Sequence, residues 1–213
     1  MRRVVVLALL ALALPMAAWA DGITIINEAG TLAITSGGIG LSTISSKGSE
    51  LIQYGSYAAA KGQSLGSVSY ATGVLLSGSV ATGGTFSSTG SSFDVVGKGK
   101  WASNVTGSPC GGGCALFTGS FTGPITWTMT GQQGAKVFYT LSGDISGTLW
   151  NGRMVNGTTT QEIYSSKGQL AAGIGHINMG TTQLAVPEPG TLGLLGTGLI
   201  GIAGMFRRKL IGR

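Results

Sequence analysis

Charge is scarce in this chain. Only 9% of the residues are Asp, Glu, Lys or Arg, and that scarcity excludes several functions at once. The formal net charge of +6 suggests an anionic partner, yet most of it sits at the two termini. Across residues 21–186 the basic side chains are Lys47, Lys61, Lys98, Lys100, Lys136, Arg153 and Lys167. Against them stand Asp21, Glu28, Glu50, Asp94, Asp144 and Glu162. The body is therefore near neutral and lacks the clustered Lys and Arg that displace counterions from a nucleic acid. Only Lys98-Gly-Lys100 comes close, and two lysines read as a solvated strand. No nucleic-acid partner is expected.

Catalytic pairings are missing too. The chain has one histidine, His176, in Gly-Ile-Gly-His-Ile-Asn-Met-Gly. A general base needs an orienting partner and a nucleophile within reach, and no Gly-x-Ser-x-Gly elbow singles out a serine. His176 alternates with Ile174 and Asn178, as a polar strand position does. The acids are scattered, without the spacings that gather calcium or transition-metal ligands. Gly37-Gly38-Ile39-Gly40 has no helix behind it to hold a phosphate and reads as a turn. Neither catalytic residues, metal nor cofactor is expected, and the body reads as non-enzymatic.

Cysteine is nearly absent as well. Cys110 and Cys114 enclose three glycines. In an exported chain such a pair persists as a disulfide, and the glycines permit the tight ring. A zinc site would want further soft ligands that the chain does not offer, and the spacing is not the Cys-x-x-Cys of redox exchange. A structural staple is the expectation.

What the body does have is period two. Ile125-Thr126-Trp127-Thr128-Met129-Thr130 alternates apolar and hydroxyl residues, the pattern of a strand with one buried face. Val137, Tyr139 and Leu141 repeat it after Gln132-Gln133-Gly134, a linker of hairpin length. Further strands are expected at 23–27, 32–35, 39–45, 68–76, 93–97, 116–121, 159–165 and 172–184, the last broken near Gly180. Asn151-Gly152 and Asn156-Gly157 are both type I′ hairpin signals; they lie too close together for both to close long hairpins, so one belongs to a longer loop. No stretch has a helical period, and Ser56 to Lys61 supports at most a turn or two. Frequent turn signals between short strands point to a single all-β, antiparallel, sandwich-like domain over residues 21–186. A β-solenoid is the rival, but no fixed repeat defines its coils. Trp150, beside the Asn151-Gly152 turn, is the candidate for an exposed ring that stacks on a sugar. Asn104-Val-Thr106 and Asn156-Gly-Thr158 are possible glycosylation sequons.

The termini are addresses. Residues 1–20 have Arg2 and Arg3, an apolar core from Val4 to Leu14, and Ala18-Trp19-Ala20: a secretory signal peptide with cleavage expected after Ala20. At the other end Pro187-Glu188-Pro189 precedes an uncharged run from Gly190 to Phe206. The run gives about 25 Å of helix, near the ~17-residue minimum for a membrane span. Arg207, Arg208 and Lys209 follow as a stop-transfer cluster in the basic tail 207–213.

Pro-Glu-Pro, a Gly/Leu-rich span and an Arg-rich end, in that order, resemble the PEP-CTERM sorting signal of Gram-negative bacteria. The resemblance covers residues 187–213 only. It implies a membrane enzyme, exosortase, as partner, which recognises Pro187, Glu188 and Pro189 and removes the tail. It also implies a transient membrane anchor, then residence at the cell surface or in the exopolysaccharide matrix. The expected function is an exported, non-enzymatic surface protein; a carbohydrate-binding module or adhesin is the alternative.

Overall fold

The computed structural model describes residues 22–35, 37–170 and 173–186. The signal segment, Pro187, Glu188, Pro189, the run 190–206 and Arg207, Arg208 and Lys209 lie outside the described residues. Of the described residues, 63% are in strands and 4% in helix, so the all-β expectation stands. Among them no helix is long and apolar enough to cross a membrane.

The strands are β1 (Gly22–Glu28), β2 (Thr31–Thr35), β3 (Thr43–Lys47), β4 (Ser49–Tyr54), β5 (Tyr57–Ala58), β6 (Gly66–Ala71) and β7 (Leu75–Ser79). They continue with β8 (Gly83–Phe86), β9 (Ser92–Gly97), β10 (Cys114–Phe121), β11 (Ile125–Gln133), β12 (Lys136–Leu149), β13 (Met154–Ser165) and β14 (Gly173–Ala185). A short helix, α1 (Lys100–Thr106), separates β9 from β10. It was not expected from the sequence, because seven residues are too few to show a period.

Many of these strands are halves of longer ones. β1 and β2 run in one order along β14, from Gly22↔Ala185 to Glu28↔Met179 and then from Thr31↔His176 to Ile34↔Gly173. The bend between them falls at Ala29 and Gly30, both at positive φ. β3 and β4 likewise follow β2 and β1, with Gly48 (φ 72°) at the joint. β6 with β7, β8 with β9, and β10 with β11 are joined in the same way by their shared partners. Each composite strand then pairs antiparallel with the next in sequence, and β13 joins β12 to β14. The last strand therefore pairs back onto the first, and the sheet closes on itself as an up-and-down ring. These pairings do not part into the two sheets of the expected sandwich. Closure removes the exposed edges that an open sheet must protect.

Side chains fill the ring. Ile25, Leu32, Leu51, Phe86, Phe93, Leu116, Phe117, Ile125, Val137 and Leu141 are fully buried, as the period-two reading of β11 and β12 requires. Trp127 and Tyr139, opposed near the β11–β12 pairing, stack at 4.7 Å. Each also satisfies its polar atom: Trp127 Nε1 donates to Val80 O (2.8 Å) and Tyr139 Oη to Ala81 O (3.0 Å). Both bonds tie the β7–β8 turn to the core. Met129 is only partly buried against it.

Several boundaries differ from the sequence reading, each for a local reason. The stretch 39–45 splits into a turn and β3, since Leu41 and Ser42 donate back to Gly38 O. The expected strand 68–76 breaks at Gly73, where a Cβ would meet the carbonyls of Thr89 and Ser87. The β11–β12 turn is Gly134-Ala135, because the strands run on to Gln133 and from Lys136. Asn151-Gly152 turns β12 into β13, whereas Asn156-Gly157 lies inside β13, with Gly157 pressed against Gln183 O. The strand expected to break near Gly180 is continuous; the irregularity lies at Asn178, where the register with β13 shifts. Gly180 stays in β14, and the space its side chain would take holds the amides of Gln161 and Asn27.

That space is the centre of a buried polar network. Asn27 Nδ2 donates to Ser49 Oγ (2.7 Å) and Gln161 Oε1 (2.9 Å). Gln161 Nε2 donates to Thr159 Oγ1 (2.9 Å), and the Thr159 and Thr182 hydroxyls share a 2.8 Å bond. β1, β4, β13 and β14 all contribute, so the network spans the closure of the ring. Buried amides are stable only when satisfied. Gly180→Ala inserts a methyl group between them and is expected to cost about 1–3 kcal/mol, the range for overpacking a filled interior. Urea unfolding measures it; an unchanged midpoint would show that the amides move aside freely.

Candidate functional site

The end of the ring at which the chain enters at Gly22 and leaves after Val186, here the exit end, gathers most of the unexplained residues. Ala185 pairs with both Gly22 and Asn156 there. Three connections converge at it: residues 55–65 after β4, residues 98–113 between β9 and β10, and the β12–β13 turn at 150–153. The first two meet through Lys98 N and Trp101 Nε1, which both donate to Leu65 O (2.8 and 2.9 Å), and the third is held to β10 by Trp150 N donating to Leu116 O (3.1 Å).

The helix in this region exists because neighbours hold it. α1 has no side-chain N-cap and ends in the left-handed Gly107, so its own sequence stabilises it little. It sits on Gly97, where a Cβ would meet Leu116, Ala102 and Trp101. Ala102 is fully buried beneath it. Behind it the expected staple is present: a disulfide joins Cys110 and Cys114, whose Cα atoms are 5.2 Å apart. Cys110 N donates to Ser103 Oγ of the helix (2.9 Å), while Gly99 N donates to Cys110 O (3.1 Å). The ring thus fixes the loop that fixes α1.

Four aromatic residues pack at this end. Trp101 lies 5.9 Å from Tyr54 and 5.5 Å from Tyr57, and Tyr54 meets Trp150 edge-on at 6.4 Å. Trp150 is half-buried against the core rather than standing free beside its turn, as the sequence suggested. Tyr57 is the exposed member, at 39%. Tyr54 is buried, and burial pushes its phenol well above the usual range, as it does that of Tyr70 in the core. Sequence reasoning singled out Trp150 alone, because Tyr54, Tyr57 and Trp101 join it only through the fold.

Among the described residues, the three connections at the exit end carry charge of one sign. They hold Lys61, Lys98, Lys100 and Arg153, all exposed, and no Asp or Glu. The described acids lie instead along the strands. Of these, Asp94 on β9 is raised above the ordinary carboxylate range by partial burial, with a hydrogen bond to Thr118 acting the other way. A raised carboxyl favours the protonated form in the folded state. Its contribution is fully present below the unfolded value and lost as pH rises through the folded one.

His176 lies elsewhere, half-buried on β14. Its ring stacks on Tyr164 at 5.2 Å, with Lys136 Nζ 5.5 Å from the centre of the tyrosine. Glu162, two residues from Tyr164 on β13, accepts from Asn178 Nδ2 (3.2 Å) instead. A shallow depression joins His176 to Ser165, Ser166, Lys167 and Ile174 without an acid. Among the described residues no group of His, Cys, Asp and Glu is placed to hold a metal ion. The sequence also gave no warning of an exposed aliphatic patch at the other end of the ring. There Ile39 (65%) and Leu41 (69%) flank a backbone pairing with β7, beside Val74 and Leu76.

Comparison with known proteins adds one finding. The family model of the PEP-CTERM protein-sorting motif matches residues 185–209, so the chain carries this motif where its C-terminal residues resembled it. No curated protein and no solved structure matches the chain. The matched segment begins at Ala185, the last residue of β14.

Two outcomes follow for the body. Reduction of Cys110–Cys114 is expected to lower stability by up to about 2 kcal/mol, the entropy of so short a loop, read as a shift in urea midpoint with and without reductant. Asp94→Asn is expected to stabilise the domain relative to the parent at neutral pH and to lose that advantage below pH ~3.9, the unfolded carboxyl value. Urea midpoints at both pH values decide it; an equal difference at the two would assign the effect to something other than ionisation.

Proposed function

We propose that this is an exported, non-enzymatic structural protein of the cell surface or exopolysaccharide matrix, delivered by exosortase processing of its tail. The observation that carries the reading is the sorting motif at residues 185–209, in register with the Pro-Glu-Pro, apolar run and basic cluster. In this reading Pro187, Glu188 and Pro189 are recognised by the processing enzyme. The run 190–206 holds the chain in the membrane while that happens, and Arg207, Arg208 and Lys209 stop its transfer. The body contributes stability outside the cell. Its closed sheet exposes no long edge for aggregation, and its staple suits an oxidising compartment.

The absence of catalysis is part of the proposal. His176 stacks on Tyr164, and the depression it shares with Ser165 and Ser166 supplies no acid to orient it. The carbohydrate-module reading draws on the aromatic cluster, but Trp150 lends its ring to Tyr54 and the core, which leaves little of a stacking platform. Trp150→Ala is therefore expected to destabilise the domain before it affects any sugar.

Substituting Pro187, Glu188 and Pro189 together by Ala tests the central claim. Tail removal is expected to stop, with the chain accumulating in the membrane fraction at its unprocessed mass. Normal processing and normal location in that variant would remove the sorting function.

A further inference from the structure

We propose that the exit end of the ring is a contact surface for anionic phospholipid headgroups, against which the body docks while its tail is still in the membrane. The inference rests on the tail reading for the anchor, and on the fold for the surface.

Chain length restricts which part of the body can reach a bilayer. Val186 is buried in the core at 5% exposure, so the chain is held to that point. Only Pro187, Glu188 and Pro189 separate it from the apolar run in the sequence. Three residues span no more than about 11 Å when fully extended. β14, from Gly173 to Ala185, is roughly 40 Å long at ~3.3 Å per residue. The aliphatic patch of Ile39, Leu41, Val74 and Leu76 is at the far end and would meet the same bilayer only with the body lying on its side, whereas an upright body brings the exit end to it.

The chemistry of that end fits a headgroup layer. Lys61, Lys98 and Lys100 are exposed on two connections that hydrogen bond to each other through Leu65 O, and no acid stands among them. Next to them Tyr57 is exposed with its ring against the half-buried Trp101. Met154, 62% exposed, follows the β12–β13 turn. Tyr and Trp with a polar tip and an apolar body belong at a membrane–water interface. Lysines within reach of an anionic leaflet each favour the docked state about fivefold. On the side where the chain leaves, these connections thus present exposed lysines beside aromatic rings. Docking would hold the Pro-Glu-Pro close to the membrane plane, where a membrane enzyme acts.

The test uses residues 21–213, the chain after signal-peptide removal, in vesicles of phosphatidylcholine, with or without phosphatidylglycerol. Flotation reports the anchor, and amide hydrogen exchange reports the surface. Flotation is expected with both lipids. Slowed exchange in residues 55–65 and 98–113 is expected only with phosphatidylglycerol, with residues 37–42 unchanged. K61Q/K98Q/K100Q, confined to exposed positions, should float equally but lose that protection, since three such lysines weigh on the order of a hundredfold. Flotation without protection at the exit end overturns the proposal and leaves the anchor standing. Protection by a soluble acidic polysaccharide and not by vesicles overturns it in favour of a matrix ligand. Failure to float with either lipid removes the anchor and this proposal together.

Discussion

The ring depends on one strand finding two partners. β14 carries β13 along one side and the bent β1–β2 pair along the other, and without it the sheet would be an open meander with two bare edges. The partners are far apart in sequence, so the loop-closure entropy of bringing residues 22–35 to residues 173–185 must be offset by what forms there. Two kinds of contact do this. Apolar side chains such as Ile25, Leu32, Ile177 and Leu184 are buried on both sides of the closure, each worth roughly 1.5–3 kcal/mol if fully withdrawn from water. The Asn27–Gln161 amides, with Ser49, Thr159 and Thr182, add bonds that only the correct register satisfies. A slip of one residue would turn these amides outward and bring apolar groups to solvent. The apolar contacts supply the stability, and the polar ones select the register.

Glycine has two uses in this design. At the bends, such as Gly30 and Gly48 at positive φ, it lets one strand change direction without leaving the ladder. Inside the closure, at Gly157 and Gly180, the requirement is space: neighbouring backbone or amide groups occupy the site of a Cβ. A glycine-rich composition therefore belongs here to an ordered, tightly approached sheet. The same composition in a linker would signal flexibility, and the recurrence of Val, Ile, Thr and aromatic residues is what separates the two cases.

The sequence made the elements legible and hid their closure. Period-two alternation identified the buried faces of β11 and β12 residue by residue, because burial on one face writes itself into neighbouring positions. It could not identify the ring, since nothing local distinguishes a strand with one partner from one with two. Gly180 was misread for the same reason: a glycine in a strand looks like an interruption unless the side chains that fill its place are known. α1 was missed because tertiary contacts, with Gly97 and the disulfide loop, hold a helix too short to hold itself. At the candidate site the cysteine pair was legible from spacing and compartment. The convergence of Lys61, Lys98 and Lys100 was not, although the lack of acids in their connections was in plain view. What was missing was the knowledge that those connections meet.

The position of the sorting motif then has a structural consequence. Its match begins on the closing strand itself, with no linker between the ring and the Pro-Glu-Pro. Val186 is part of the core, so a cut upstream of it would remove a buried side chain and begin to unpair β14 from β1 and β13. A cut after it would leave every described pairing intact. Any cleavage that keeps the fold intact would therefore fall after Val186, and Pro187 brings no N–H with which a ladder could be extended. Stability and delivery meet at one residue: the body is complete at the point where the address starts.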